Sequence, residues 1–373
     1  NTTFDGTDYY QLTGYTGDQT HIIVPNQADF EQAGKSTNNL QVSISNDLIK
    51  SWQNAATIAF SKTDDKKIKL ISTNLDNTFN KNTTLTNLDA NSLDTSSVTS
   101  MQSTFEGASN LSSLTGISDW DVSNVTNMSL LFQNATGLTS LTGLKNWDVQ
   151  KVTNMTRIFN QVTKVTDLSP LSNWKTDSLQ KLNTAFANNS FTNLQGLENW
   201  NVSHATDMGV IFMSDANLTD ISALANWDTS NVTDLNRAFN VNQSLTSLHG
   251  LENWNTSKVT NLNATFANEG SLVDASAIAN WNTSNVTNMS VLFANSSAQY
   301  VDFSNWDFSK VTSASNVINN TKSVVYLGNN STLTADKLNT LGIANGGFTQ
   351  PIILASGNLY TLLSNKNSNT HNI

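Results

Sequence analysis

Four histidines, His21, His204, His249 and His371, are the only imidazoles available to bind a metal or move a proton. No two have metal-ligand spacing, and none stands near a nucleophile motif. The chain has no G-x-S-x-G, no phosphate-cradling glycine loop and no H-E-x-x-H. It has no cysteine, which removes disulfides and every cysteine-ligated centre. A net charge of −10 with only two arginines argues against a nucleic-acid groove, where cations must neutralise phosphates. No apolar run approaches membrane-spanning length. The sequence therefore predicts no enzyme, no metal, no cofactor, no nucleic-acid partner and no membrane insertion. No leader pattern stands at Asn1, so a mature or trimmed product or a cytosolic chain is expected.

What remains is a repeated column of polar residues. Two positions after the first leucine of each leucine triplet, or its equivalent, come Ser140, Asp167, Asn193, Asp220, Ser247, Asp274 and Asp302. Glu198, Glu252 and His249 lie nearby. On a strand these side chains face outward, as an acidic, hydroxyl-rich surface suited to sugar hydroxyls or a basic partner patch. The opposing reading is a solvated face that only maintains solubility. Calcium between stacked carboxylates would need six or more oxygens, and no metal site is assigned.

The element that must position this column is a repeat. Eight tryptophans, Trp120, Trp147, Trp174, Trp200, Trp227, Trp254, Trp281 and Trp306, follow at intervals of 27, 27, 26, 27, 27, 27 and 25 residues. A fixed period of this size means stacked supersecondary units. Twelve residues after each of the first seven comes Phe132, Phe159, Phe186, Phe212, Phe239, Phe266 or Phe293; Ile318 follows Trp306. Val125, Met128, Leu131, Phe132 and Ala135 fall at helical spacing and predict one short helix per repeat. Leu138, Leu141, Leu144 and Trp147 then follow at spacing three, which predicts a short strand flanked by tight corners. Such units close their interiors only against their neighbours.

The residue before Trp is Asn in seven consecutive repeats: Asn146, Asn173, Asn199, Asn226, Asn253, Asn280 and Asn305. A sugar-binding stripe is one reading. The preferred one is a structural ladder inside a corner, in which each amide supplies a donor and an acceptor to the next turn. Asp121, Asp148, Asp228 and Asp307, just after Trp, are expected to make Asx-type bonds.

Residues 1–66 lack the repeat and are expected to form an N-terminal cap, with a strand over 21–25 and a helix over 48–60 carrying Trp52. Residues 67–318 form the repeat body. Residues 319–373 are expected to be a C-terminal cap and linker, with strands at 324–327 and 351–354, a helix over 334–341 and a disordered tail from Ser364. The repeat at Trp174 has Asp177, Leu179 and Gln180 where others have Ser, Val and Thr, so a local irregularity is expected there.

The recurring W-D-x-S-x-V-T-N-M-x-x-x-F, seen most fully at Trp281-Asn282-Thr283-Ser284-Asn285-Val286-Thr287-Asn288-Met289, resembles the BspA-type leucine-rich-repeat surface proteins, in the variant of lactobacilli and mycoplasmas. Leu12-Thr13-Gly14-Tyr15-Thr16-Gly17 is similar to the opening of such domains. Repeat and resemblance together predict an α/β fold: a right-handed leucine-rich-repeat solenoid of about ten turns of ~27 residues with a cap at each end. The resemblance implies an extracellular, Gram-positive-type cell-surface protein, secreted and wall-anchored in its full-length form. It further implies an adhesin that binds host mucin glycans or an epithelial or matrix protein. A monomer is expected. A passive stalk presenting another domain and a glycan-active enzyme are the alternatives. Mucin is anionic and so is this chain, so binding is expected to strengthen as pH falls toward the pI of about 4.7.

Overall fold

Leu138, Leu141 and Leu144 recur every three residues because the chain there runs through turns closed between residues three apart. Leu138 N–H donates to Ala135, Leu144 N–H to Leu141, and Trp147 N–H to Leu144. A 3-10 turn has three residues per turn, so every third side chain falls on one face. All four side chains are buried. The computed structural model describes residues 1–318, 323–343 and 351–373. The expected boundary at 319 lies outside them.

The chain divides into two compact units, Asn1–Ser178 and Leu179–Ile373. The division falls within the repeat of Trp174, where the sequence departs from its own pattern. The fold is mixed α/β, with small parallel sheets and few helices.

The first unit contains β1 (Thr2–Phe4), β2 (Thr7–Gln11), β3 (His21–Val24), α1 (Gln27–Gln32), β4 (Val42–Ile44), α2 (Asn46–Lys50), β5 (Thr57–Phe60), β6 (Ile68–Leu70), β7 (Asn87–Asp89) and β8 (Leu93–Asp94). Five strands pair in the order β1-β2-β4-β6-β8, and three in the order β3-β5-β7. Only β1 and β2 are antiparallel. Strands of residues 1–66 thus pair directly with strands of the repeat body. The helix expected over 48–60 ends at Lys50, and β5 occupies its second half. Thr57, Ile58 and Phe60 are branched or aromatic, and they pair in parallel with β3.

The second unit contains β9 (Tyr300–Asp302), β10 (Val324–Gly328), α3 (Ala335–Thr340), β11 (Ile352–Ala355), α4 (Gly357–Leu363) and β12 (Thr370–Asn372). Four parallel strands follow the order β12-β11-β10-β9. Thr334 caps α3 by accepting from Lys337 N–H. The tail expected to be disordered instead supplies β12. Its backbone pairs with β11, and Ile373 N–H reaches the Ala355 carbonyl at 3.2 Å. A polar strand needs only backbone partners to be held, and composition does not reveal them.

The helix expected from Val125 to Ala135 is absent. Successive turns replace it: Leu131 N–H donates to Met128, Gln133 to Leu130 and Ala135 to Phe132. Leu130 and Asn134 take φ of 57° and 59°, the left-handed region that breaks a helix. The N–H groups of Met128, Leu130, Phe132 and Asn134 donate onward to Asn154, Thr156, Ile158 and Asn160 in the following repeat. The second unit does the same from Leu235, Arg237, Phe239 and Val241 to Asn261, Asn263, Thr265 and Ala267. Three turns at this spacing put the same side chains inward as a helix would, so periodicity alone does not separate the two.

Aromatic files run through each core. Phe79, Phe105, Phe132 and Phe159 stack at 5.3–5.7 Å in the first unit, and Phe186, Phe212, Phe239, Phe266 and Phe293 at 5.4–5.8 Å in the second. The indole N–H of Trp120, Trp147, Trp174, Trp227, Trp254, Trp281 and Trp306 donates to a carbonyl of the preceding repeat, as from Trp120 to Ala90 at 2.9 Å and from Trp227 to Leu197 at 2.8 Å.

Candidate functional site

Asp167, Asp220 and Asp274 are exposed. Each accepts the N–H two residues on: Ser169 at 2.8 Å, Ser222 at 2.8 Å and Ser276 at 2.9 Å. These bonds open the turn that follows. The second oxygen of Asp167 takes the Ser169 hydroxyl at 3.0 Å, and that of Asp220 has no partner among the described residues. Hydrogen bonds from Ser276, with the nearby His249, hold the Asp274 carboxyl below the usual range.

The register corrects one member of the column. Parallel bridges join Asn193 to Asp220, Ser247 to Asp274, and Asp274 to Tyr300. Tyr300, not Asp302, continues the line. Buried Ala298 stands where the other repeats have leucine, Val165 or Phe191, which hid the register in the sequence. Asp302 lies two residues further, half-buried, accepting from Ser304 N–H at 2.9 Å and its hydroxyl at 2.6 Å.

His249 and Glu252 meet at 2.6 Å between Nδ1 and Oε1, both exposed. The hydrogen bond to Glu252 raises the His249 pKa, aided by the charges of Glu252, Asp220 and Asp274. In the second unit the fold thus gathers Asp220, His249, Glu252 and Asp274 into one electrostatic group. Glu198 is half-buried and accepts from Gly196 N–H at 2.8 Å, just as Glu252 accepts from Gly250 N–H at 2.8 Å. Gly196 and Gly250 have φ of 114° and 115°, which explains glycine there. Asp167 belongs to the first unit.

The seven asparagines before Trp do not form the expected amide ladder among the described residues. All seven are exposed, and their one amide–amide bond among the described residues is Asn305 Nδ2 to Asn280 Oδ1 at 3.4 Å. The corner needs no amide, because the N–H of the adjacent Trp already closes onto the residue three before it. The asparagines that tie repeats together stand four residues after Trp. Asn124 donates to the Ser96 carbonyl, Asn231 to Ser203 and Asn285 to Ser257, at 2.9, 2.7 and 2.6 Å. Lys151, Lys258 and Lys310 donate to their free amide oxygens at 2.9, 2.6 and 2.7 Å. The Asx bonds expected after Trp are present, as in Ser123 N–H to Asp121 at 3.0 Å.

Two features had no reading in the sequence. Inside the second unit, Asp215, Asn242 and Glu269 form a buried polar file fifteen residues after Trp, where the first unit has Ala135 and Val162. Their repeat spacing was legible, but not their burial. In the first unit a cavity of about 320 Å³ opens among Leu12, Tyr15, Ile23, Phe30, Leu48 and Trp52. Among the described residues no three acidic or histidine side chains group as a metal site, and no helix is long and apolar enough to cross a membrane.

No curated protein and no solved structure matches the chain. The family described as "Mycoplasma protein of unknown function, DUF285" matches residues 73–192, 136–221, 180–272 and 214–331, overlapping segments that advance through the tryptophan repeats and cover well over half the chain. The chain is a repeat protein and belongs to that family.

Proposed function

We propose that the chain is the binding module of a bacterial surface adhesin of the BspA-type leucine-rich-repeat kind. In this reading its repeats form a right-handed solenoid, closed by residues 1–66 at one end and by the region after Ile318 at the other. It is a monomer, displayed outside the cell and wall-anchored in the full-length protein, and it engages host mucin glycans or an epithelial or matrix protein. The observation that carries the reading is the asparagine column. Asn146, Asn173, Asn199, Asn226 and Asn253 are exposed, recur once per repeat and make no side-chain hydrogen bond among the described residues. An exposed amide presents a donor and an acceptor together, which suits a sugar hydroxyl. Each contact is weak, and repetition along one ligand multiplies them.

The test is binding of the purified chain to immobilised mucin and to immobilised matrix protein. Asn199→Ala, Asn226→Ala and Asn253→Ala combined should weaken binding at least tenfold and leave melting unchanged, because these amides hold nothing in place. Unchanged binding discards this column. Asp167→Ala, Asp220→Ala and Asp274→Ala combined test the acidic column in the same way.

A stalk that carries another domain is the second reading. It is favoured by the local use of Asp167, Asp220 and Asp274, each of which spends an oxygen on its own turn. Absence of all binding by the wild-type chain would support it.

A further inference from the structure

The outward column of the second unit changes character at its C-terminal end. Asn193, Asp220, Ser247 and Asp274 are polar. The same line then continues through Tyr300, Val324 and Ile352, paired strand to strand across β9, β10 and β11. A second row, two residues along, holds Asp302, Tyr326 and Leu354. Between the rows Val301, Val325 and Ile353 are fully buried, so both rows face outward by the alternation of a strand. Tyr300 is 43% exposed and Ile352 45%; Val324, Tyr326 and Leu354 are half-buried.

We propose that this face is a carbohydrate platform: Tyr300 and Tyr326 stack against the apolar face of a neutral pyranose, and Asp302 accepts its hydroxyls. The inference rests on the reading that the chain binds glycans, and it assigns the contact residues.

Three observations favour a sugar. The face spans three strands and two outward rows, on the order of 10 Å by 7 Å. That matches one or two sugar rings and is far smaller than the roughly 800 Å² a stable protein partner covers on each side. The aromatic rings lie beside a carboxylate whose orientation is fixed, since Asp302 Oδ1 takes both the N–H and the hydroxyl of Ser304. Its Oδ2 has no partner among the described residues. The two tyrosines also lie close enough to act on one another. The Tyr300 hydroxyl pKa is raised, first by partial burial, then by the charge of Asp302 and by Tyr326. Tyr326 leans along its own strand, with its hydroxyl over Gly328 beside Ser304. Its oxygen therefore stands near Ser304, whose N–H and hydroxyl hold the carboxylate. Val324 beside Tyr300, and Ile352 one strand further, offer small apolar surface suited to an N-acetyl methyl group. Aromatic rings bury apolar area against a sugar's C–H face, while flanking polar atoms fix its orientation.

The probe is N-acetyllactosamine, titrated into the full chain and followed by saturation-transfer NMR. The wild type should bind. Tyr300→Ala and Asp302→Asn should each weaken binding at least tenfold, and Tyr300→Phe, which keeps the ring, should bind within about twofold of wild type. Melting temperatures of all variants report folding. Tyr326→Ala is a second probe of the same platform should Tyr300→Ala fail to fold. Undiminished binding by the folded alanine variants overturns the proposal. So does a wild type that binds no disaccharide but loses self-association in Tyr300→Ala, which makes the face a contact between copies. Mucin capture separates the two readings. Capture by wild type and Tyr300→Ala alike overturns the platform and leaves the adhesin. Disaccharide binding lost in Tyr300→Ala, with no mucin capture by wild type, supports the platform and overturns the adhesin.

Discussion

Asp215 donates its backbone N–H to Asn242 Oδ1 at 2.9 Å, one repeat further on, while its own Oδ2 meets no protein partner. Asp215 Oδ1 accepts from Asn189 N–H at 2.9 Å, and Glu269 Oε1 accepts from Asn242 N–H at 3.3 Å. One side-chain oxygen per repeat is therefore what this buried file requires. The second atom is surplus, and Asn242 Nδ2 and Glu269 Oε2 are likewise unmatched.

Burial drives the Asp215 carboxyl pKa well above its ordinary range. The folded state then holds a proton that the unfolded state releases above about pH 4. Stability is greatest in acid and falls as pH rises. Asp215→Asn keeps the needed oxygen and removes the titration; Asn189 and Asn242 already occupy this file. It should stabilise the protein by about 1–3 kcal/mol at pH 7 or above and by much less at pH 4. Urea midpoints at the two pH values decide it.

Trp254 donates its indole N–H to the Leu224 carbonyl at 3.1 Å and stacks 6.3 Å from Trp281. Trp254→Phe removes one of the two donors to that carbonyl, the Trp227 N–H at 3.1 Å remaining, and opens a void beside it. The expected cost is about 2–4 kcal/mol. Repeat arrays lose cooperativity locally, so amide exchange should accelerate first in the neighbouring repeats. Uniform acceleration across the unit would contradict this.

Val210 holds φ at 61°, a conformation in which a β-branched residue is strained. Its side chain is only half-buried. Val210→Gly relieves that strain and should stabilise the fold by about 1 kcal/mol, as read from the denaturation midpoint. A destabilised variant would show that the valine's contacts outweigh the strain.

The chain carries a net charge of −10 at pH 7, with a pI of about 4.7. Repulsion from anionic mucin fades as that charge vanishes, so binding in low salt should be stronger at pH 4.5 than at pH 7. His249 adds positive charge early in this descent, since Glu252, Asp220 and Asp274 favour its protonated form. Its NMR titration midpoint should lie above 6.5 and should drop in Glu252→Gln. Equal binding at both pH values, or a midpoint that Glu252→Gln leaves in place, counts against this account.

Much of the molecule was legible in the residues. The interval between Trp120 and Trp147 announced the repeat, and leucines every third residue announced the turns that bury them. Thr334 marked the start of α3, and His21–Val24 declared its strand. The candidate site was legible only in part. Asp167, Asp220 and Asp274 were noticed as a column, and all three are exposed. Tyr300 was missed, because Ala298 hides the register. The asparagine column was noticed, but of the ladder expected there the described residues make one amide–amide bond. Sequence shows that Asn146 recurs; it does not show that Trp147 N–H already finds Leu144.

The sequence by itself determined which residues turn inward. Apolar periodicity follows from local backbone geometry, and that geometry acts over a few residues. Only the tertiary structure decided which polar groups remain unspent. Asp215 and Asn199 look alike in a one-dimensional pattern, yet one is fully buried and the other exposed without a bond. The difference lies in hydrogen bonds to residues a whole repeat away, and their distances exist only once neighbouring turns have packed.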